Sequence, residues 1–112
     1  AKLLLDHHVS VCVSKINPFV ENRENARKIL KNYNFVEIYI KCSLDSCEKR
    51  DVKGMYKKAR NDEINNFIGI HVNYEPPTSP ELIVDTENST IKNSVQIILD
   101  YLNENKIIKN PR

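Results

Sequence analysis

Hydrophobic residues along the chain are grouped in short blocks, separated by charged or turn-forming stretches. Three blocks, at residues 9–16, 35–40 and 81–85, are rich in β-branched residues and have the length of strands. The block at 9–16 carries apolar side chains on both faces, which is typical of a strand buried in a parallel sheet. The pattern therefore predicts three strands.

Helical patterns occupy most of the chain between and after these strands. Asn17 and Pro18 suit the capping and first positions of a helix, and Ser89 or Thr90 suits the cap of the last one. In that last helix, apolar residues recur at three- and four-residue steps. The predicted helices are residues 1–7, Asn17 to about Lys31, 44–50, most of 51–66 with a break near Gly54, and 91–102.

Strands that alternate with helices indicate an α/β fold, in which a parallel sheet is flanked by helices. Residues 69–80 contain three prolines and are expected to form no regular element. Three strands make a thin core. We therefore expect the chain to be part of a larger sheet whose first strands lie upstream.

With 112 residues, 40% of them hydrophobic and 29% charged, the chain has the size and composition of one soluble domain. No apolar run approaches the roughly 20 residues that span a bilayer, and the amino terminus does not resemble a secretory signal. We therefore expect a cytoplasmic protein without a membrane partner. Cys12 and Cys42 lie in predicted strands, and buried, reduced thiols are favoured over disulfide or metal roles for the three cysteines.

A basic segment stands out, because six of the twelve residues from Lys49 to Arg60 are lysine or arginine. If the segment is helical, Arg50, Lys53, Lys57 and Arg60 form one stripe that is suited to phosphate or sulfate groups. On charge alone, a solvated basic face is the simpler interpretation. Few aromatic side chains accompany the charges, so a nucleic-acid partner is not expected.

Two other places have the composition of a ligand site. Phe67 and Gly69 suit base stacking and close backbone approach, although Phe67 is equally suited to anchoring its segment to the core. Ile16 and Asn17 end the first predicted strand, where open α/β sheets bind ligands. A capped helix start followed by surface arginines is the local alternative there. No histidine has partners at metal-ligand spacing, so no metal site is predicted.

The run from Cys42 to Arg60 resembles the signature C-P-L-x-x-C-E-x-R-D-x-K-G-L-Y-K-x-A-R of the adenylylsulfate (APS) kinase family. Residues 63–70 resemble its E-I-x-x-F-T-G-I-D region, and residues 74–86 its Y-E-x-P and P-E-L-x-L-x-T motifs. Residues 16–27 are similar to its I-S-P-[YFH]-R-x-D-R-x-x-A-R motif. The similarity covers nearly the whole chain in order and identifies it as the C-terminal portion of a family member.

Members of this family are P-loop kinases that transfer the γ-phosphate of ATP to the 3′-hydroxyl of APS with Mg²⁺, and they commonly form homodimers. The resemblance implies that residues 1–112 are the C-terminal part of one domain and that residues 51–72 form its lid. Lys53 would reach the charged groups of the nucleotide substrate, and Phe67 would stack on its adenine. The implied substrate-binding residues are Ile16, Asn17, Lys53, Phe67, Ile68 and Gly69, and the implied ATP-base contacts are Arg50 and Ser89.

No catalytic residue or metal ligand is assigned within this chain. Its only glycines, Gly54 and Gly69, lie too far apart to form a loop that cradles phosphates. The P-loop and the acidic catalytic base of the family are therefore expected in an N-terminal nucleotide-binding part that this chain does not contain. ATP and Mg²⁺ would be held mainly by that part, and the segment alone is expected to be inactive.

Four residues around the implied substrate pocket depart from the family pattern: Asn17 replaces serine, Val20 arginine, Ile68 threonine and His71 aspartate. These positions border the implied substrate pocket, while the lid motif is intact. Two alternatives to APS phosphorylation follow. One is a related kinase of a different nucleotide acceptor, such as cytidine diphosphoramidate in capsule modification. The other is a non-catalytic nucleotide-binding remnant.

Overall fold

The computed structural model describes residues 1–108 and contains a two-stranded parallel sheet flanked by helices. Ile38 pairs with Leu82, and Lys41 pairs with Asp85. The predicted α/β class with a parallel sheet is thereby confirmed. In chain order, the elements are α1 (Lys2–Asp6), α2 (Val20–Ile29), β1 (Ile38–Lys41), α3 (Leu44–Arg50), α4 (Met55–Arg60), β2 (Leu82–Asp85) and α5 (Ile91–Glu104).

The centre of the packing lies at β2, where Val84 is fully buried and α5 packs against the strand. Thr90 caps α5, because its hydroxyl oxygen accepts a hydrogen bond from the Asn93 N–H at 3.2 Å. The cap is one of the two residues that the sequence predicted. Helix α3 has the predicted bounds, and the proline-rich segment forms no regular element.

Residues 9–16 do not form a strand, so this prediction is wrong. A strand needs backbone partners, and no strand within residues 1–108 pairs with this segment. Val13 and Ile16 are consequently 70% and 64% exposed. Cys12 is also exposed, which contradicts its predicted burial. β-branched residues favour the strand conformation, but a strand forms only where a neighbouring strand supplies hydrogen-bond partners.

A cleft of about 380 Å³ lies between this extended segment and the region of β1. Its lining includes Val11 and Val13 from the extended segment and Phe35, Val36 and Tyr39 from the residues around β1. Strand β1 pairs with β2 on one side, and in the described part of the chain its other side has no strand partner. The cleft therefore borders a strand that has an open pairing position.

Helix α2 begins at Val20, and the predicted start after Asn17 is wrong. Asn17 has a φ of +41°, and Phe19 occupies the capping position without a side-chain hydrogen bond. The Val20 N–H instead donates to Glu75 Oε2 at 2.6 Å. A carboxylate 55 residues away thus satisfies the helix start, which no local pattern indicates.

None of the helices within residues 1–108 has both the length and the apolar character that crossing a membrane requires.

Candidate functional site

Asn17 lies where three segments of the chain meet. Arg23 Nη1 donates to the backbone oxygen of Asn17 at 2.7 Å, and Arg23 Nη2 donates to the backbone oxygen of Glu75 at 2.5 Å. The Glu75 N–H donates to the backbone oxygen of Pro18 at 2.9 Å. These bonds fix the backbone after the extended segment, and asparagine tolerates the left-handed conformation that results.

Arg23 and Arg27 form an ion-pair cluster, so the alternative of surface arginines is wrong. The Arg23 side chain is 10% exposed, and its Nε lies 3.2 Å from Glu37 Oε1. That approach is an ion pair without hydrogen-bond geometry, because Glu37 Oε1 has no directed donor. Arg27 donates to both oxygens of Glu81 at 2.5 and 3.0 Å and to Glu37 Oε2 at 3.1 Å. The bond from Arg27 is the main cause that lowers the pKa of Glu81.

The basic segment is two short helices joined by a turn, since α3 ends at Arg50 and α4 begins at Met55. The condition for a single stripe of four cations is therefore not met. Arg50 Nη2 donates to the Thr86 backbone oxygen at 2.6 Å, and Arg60 Nη2 lies 2.5 Å from Glu48 Oε1. Lys53 lies in the turn, is exposed, and makes no hydrogen bond or ion pair with a residue that the structure describes.

Asp51 orders the turn that carries Lys53. Its carboxylate accepts hydrogen bonds from the N–H groups of Tyr56 at 3.1 Å and Lys57 at 3.0 Å, which are donors at the start of α4. Desolvation raises the pKa of Asp51, but the backbone hydrogen bonds lower it below its ordinary value of 3.8. The contribution of Asp51 is therefore present above about pH 4 and is lost as the pH falls through the lowered pKa.

Phe67 packs on α4, in keeping with the anchoring role that was one of its two interpretations. Its ring meets the Tyr56 ring edge to face, with centroids 4.9 Å apart and planes at 76°. Burial, with the neighbouring Cys47 thiol as a second cause, raises the pKa of Tyr56 to about 12. The role of Phe67 in base stacking stays a prediction.

A tight turn follows Phe67 and holds two further predicted substrate-binding residues. Ile68 bridges to Val72, and the Gly69 N–H donates to the Val72 oxygen at 2.7 Å. Gly69 has a φ of +94°, and a Cβ there would lie 3.1 Å from a leucine side chain of α3, so both features favour glycine. His71 Nδ1 accepts from the Phe67 N–H at 3.1 Å, which requires that the ring proton be on Nε2.

The two predicted ATP-base residues border one loop between β2 and α5. Arg50 reaches that loop through its bond to the backbone oxygen of Thr86. Ser89 lies in the same loop, and its Oγ accepts a hydrogen bond from Ser94 Oγ at 3.3 Å. The fold therefore brings the Arg50 side chain to the loop that contains Ser89, although two elements separate these residues along the chain.

The predicted site residues form three local groups. Ile16 lies beside Asn17, Lys53 and residues 67–69 lie around α4, and Arg50 lies near the loop that contains Ser89. Sequence reasoning missed four carboxylates and one arginine that hold these groups in place. Three of them, Arg23, Glu75 and Glu81, had a usable signal, because each lies in a motif that the resemblance had already matched. The missed residues are Arg23, Glu37, Glu75, Glu81 and Glu87.

A parallel sheet flanked by helices defines an α/β fold, to which the chain adds two short basic helices joined by a turn and polar loops after the strands. The sequence model of the family described as Adenylylsulphate kinase matches residues 1–85. This chain belongs to the adenylylsulphate kinase family.

The relatives extend this result over most of the chain. It is 49% identical to the adenylyl-sulfate kinase of Oceanobacillus iheyensis and 46% identical to that of Staphylococcus epidermidis, in each case over 96% of this chain. The match covers 54% of each relative, so the chain spans about half their length and corresponds to their C-terminal portion.

A solved structure agrees with the fold. The Mycobacterium tuberculosis APS kinase CysC, in complex with AMPPNP and APS, superposes with a TM-score of 0.84 at 37% identity. The similarity covers 89% of this chain and 58% of that one.

Proposed function

We propose that the protein containing this chain phosphorylates the 3′-hydroxyl of APS, using ATP with Mg²⁺. The observation that carries the proposal is the likeness, at a TM-score of 0.84, to an APS kinase that binds AMPPNP and APS together. Phosphoryl transfer depends chiefly on positioning and charge neutralisation. The exposed Lys53, held in a turn that Asp51 orders, is suited to contact an anionic substrate. A cytoplasmic location and a homodimer are proposed on the family resemblance alone.

Residues 1–112 are, in this proposal, the C-terminal part of one domain, with residues 51–72 as its lid. The accessible surface of 9045 Å² supports this, because a compact protein of 13.0 kDa exposes about 6,300 Å². The radius of gyration of 16.3 Å is also larger than the roughly 13 Å expected for this length. A further layer of the same domain, packed on this chain, would account for both the excess surface and the open cleft.

The remaining part of the domain would also hold Mg²⁺. Within residues 1–108, no group of three or more histidine, cysteine, aspartate or glutamate side chains is arranged to bind a metal ion. Asp51, the carboxylate of the turn that carries Lys53, is already engaged by backbone N–H groups. The contribution of this chain is therefore to bind and orient the nucleotides rather than to coordinate the ion.

Two departures from the family pattern have local explanations that do not involve the acceptor. Asn17 occupies a left-handed backbone position, where asparagine is more tolerant than serine. His71 supplies a hydrogen-bond acceptor to the Phe67 N–H, a role that an aspartate would also fill. Both observations favour APS as the acceptor.

A second candidate rests on Val20 and Ile68, for which the contacts give no such explanation. A different nucleotide acceptor, such as cytidine diphosphoramidate, would suit a pocket that lacks the cation and the hydroxyl of the family residues. A non-catalytic nucleotide-binding role is the third candidate, because the chain has no glycine-rich phosphate loop.

The test is a coupled assay of the native protein with ATP, Mg²⁺ and either APS or cytidine diphosphoramidate. We expect formation of 3′-phosphoadenylylsulfate from APS and no transfer to the cytidine compound. Transfer only to the cytidine compound would replace the first candidate with the second. Adenine-nucleotide binding without transfer to either acceptor would support the non-catalytic role.

Replacing Lys53 with alanine is expected to raise the KM for APS about 10-fold or more, because a hydrogen bond to a charged group contributes about 1.5–3 kcal/mol. Lys58→Ala is the matched control, since Lys58 is an equally charged, exposed residue that is the fourth residue of α4 rather than part of the turn. Steady-state kinetics of both variants measure the difference. Equal effects would contradict the assignment of Lys53 to the substrate site.

A further inference from the structure

Helix α3 is attached at both ends to one loop, residues 85–89. At its start, Glu87 Oε1 accepts hydrogen bonds from Ser43 Oγ at 2.7 Å and from Ser46 Oγ at 2.5 Å. Glu87 Oε2 accepts a longer bond from the Ser43 N–H at 3.3 Å. At the end of α3, Arg50 donates to the backbone oxygen of Thr86 at 2.6 Å. Two consecutive loop residues therefore hold a whole helix.

The loop is itself hydrogen-bonded to the sheet, so the residues that hold α3 are fixed in position. The Thr86 N–H and Oγ1 both donate to the Lys41 backbone oxygen, at 3.0 and 3.1 Å. Asp85 accepts bonds from the Glu87 N–H at 2.9 Å and from Asn88 Nδ2 at 2.9 Å. The backbone at Glu87 is thus held, and its carboxylate is aimed at α3.

The contacts of Glu87 distinguish it from an ordinary surface glutamate. It is an exposed carboxylate that nevertheless has three hydrogen-bond donors, and no lysine or arginine is among them. The bond from Ser46, followed by the bond from Ser43, lowers the pKa of Glu87, so the carboxylate stays charged. Charge-assisted bonds of this kind are about twice as strong as neutral ones.

We propose that Glu87 is a positioning residue for ATP. It holds the loop that contains Ser89 against α3 and thereby fixes Arg50, so the two predicted ATP-base residues keep one relative placement. This inference rests on the proposed function, because that function requires ATP and the family resemblance implies that Arg50 and Ser89 contact its base. It adds a residue that contacts no nucleotide and acts through Arg50 and Ser89.

The experiment compares Glu87→Ala with the wild-type native protein in two measurements. Calorimetric titration with AMPPNP measures nucleotide affinity without requiring turnover, and kinetics with ATP and APS measure the two KM values. We expect AMPPNP to bind about 5- to 10-fold more weakly and the KM for ATP to rise by a similar factor. The KM for APS should change less than about 2-fold, which general destabilisation would not produce.

Two further variants test whether the loss of AMPPNP affinity is specific to the hydrogen bonds of Glu87. Glu104→Gln removes an exposed charge at the end of α5 and is expected to change neither affinity. Ser46→Ala removes a donor to Glu87, and combining it with Glu87→Ala should weaken AMPPNP binding no further than Glu87→Ala alone. Additive losses of AMPPNP affinity would show that the two side chains act independently and would contradict the proposed positioning role of Glu87.

The outcomes separate this inference from the proposed function. Weakened AMPPNP binding in Glu87→Ala, with no transfer to APS by the wild type, would support the positioning role and reject APS phosphorylation. Unchanged AMPPNP affinity in Glu87→Ala would reject the positioning role whatever the kinetics show. Absence of AMPPNP binding by the wild-type protein would reject both.

Discussion

Residues 1–112 on their own are expected to transfer no phosphate from ATP to APS above the enzyme-free rate, and activity is expected when the rest of a family domain is supplied. The chain has only two glycines, too far apart to cradle phosphates. It also spans about half of the relatives that it matches. The missing half would bring the phosphate loop and the metal-binding residues, while this chain would bring the lid and the loop at Arg50.

The measurement is a coupled assay of the chain alone and of the chain co-produced with the complementary part of the Oceanobacillus iheyensis relative. Hydrogen exchange on the same samples gives a structural readout. Residues 9–16 are expected to become protected on association, because a strand placed in the cleft between them and β1 would pair with both. A chain that is fully active alone, or a segment that stays unprotected in an active complex, would contradict the proposed division of the domain.

Replacing Arg27 with methionine is expected to reduce the free energy of unfolding by about 2–3 kcal/mol. Loss of one partner from a buried ion pair costs about 3–5 kcal/mol, and the value is reduced here because the side chain is 30% exposed. Methionine retains the apolar length of arginine but removes the bonds to Glu81 and Glu37. Both carboxylates then lie partly buried without that cation.

Urea denaturation of the native protein measures this loss. Lys28→Met is the matched control, because Lys28 is the next residue of α2, exposed, and outside the cluster. The pH dependence supplies a second check. Glu81 has a lowered pKa in the folded state, so its contribution is present above its ordinary value of 4.5 and is lost as the pH falls through the lowered pKa. In Arg27→Met, the free energy of unfolding should therefore fall less steeply as the pH decreases. The same pH dependence in the variant and the wild type would contradict the role assigned to the Arg27–Glu81 pair.

The clearest successes of sequence reasoning concern elements whose determinants are local. Helix α3 and the cap of α5 at Thr90 follow from residues within one or two turns, and both are as predicted. The failures concern elements whose partners are distant. The start of α2 depends on Glu75, and residues 9–16 have no strand partner within residues 1–108.

The same distinction applies to the candidate site. The sequence alone identified the family, the α/β class and the basic segment from Lys49 to Arg60, because these depend on residue type and spacing along the chain. The tertiary structure decided which cations remain available: Arg50 and Arg60 have partners, whereas Lys53 is exposed in the turn. It also revealed that Arg23, Arg27 and Glu87 connect segments that are distant along the chain. Whether a charged side chain binds a ligand or makes a structural ion pair can be decided only when its neighbours in space are known. Folding brings those neighbours together from positions that lie tens of residues apart along the chain.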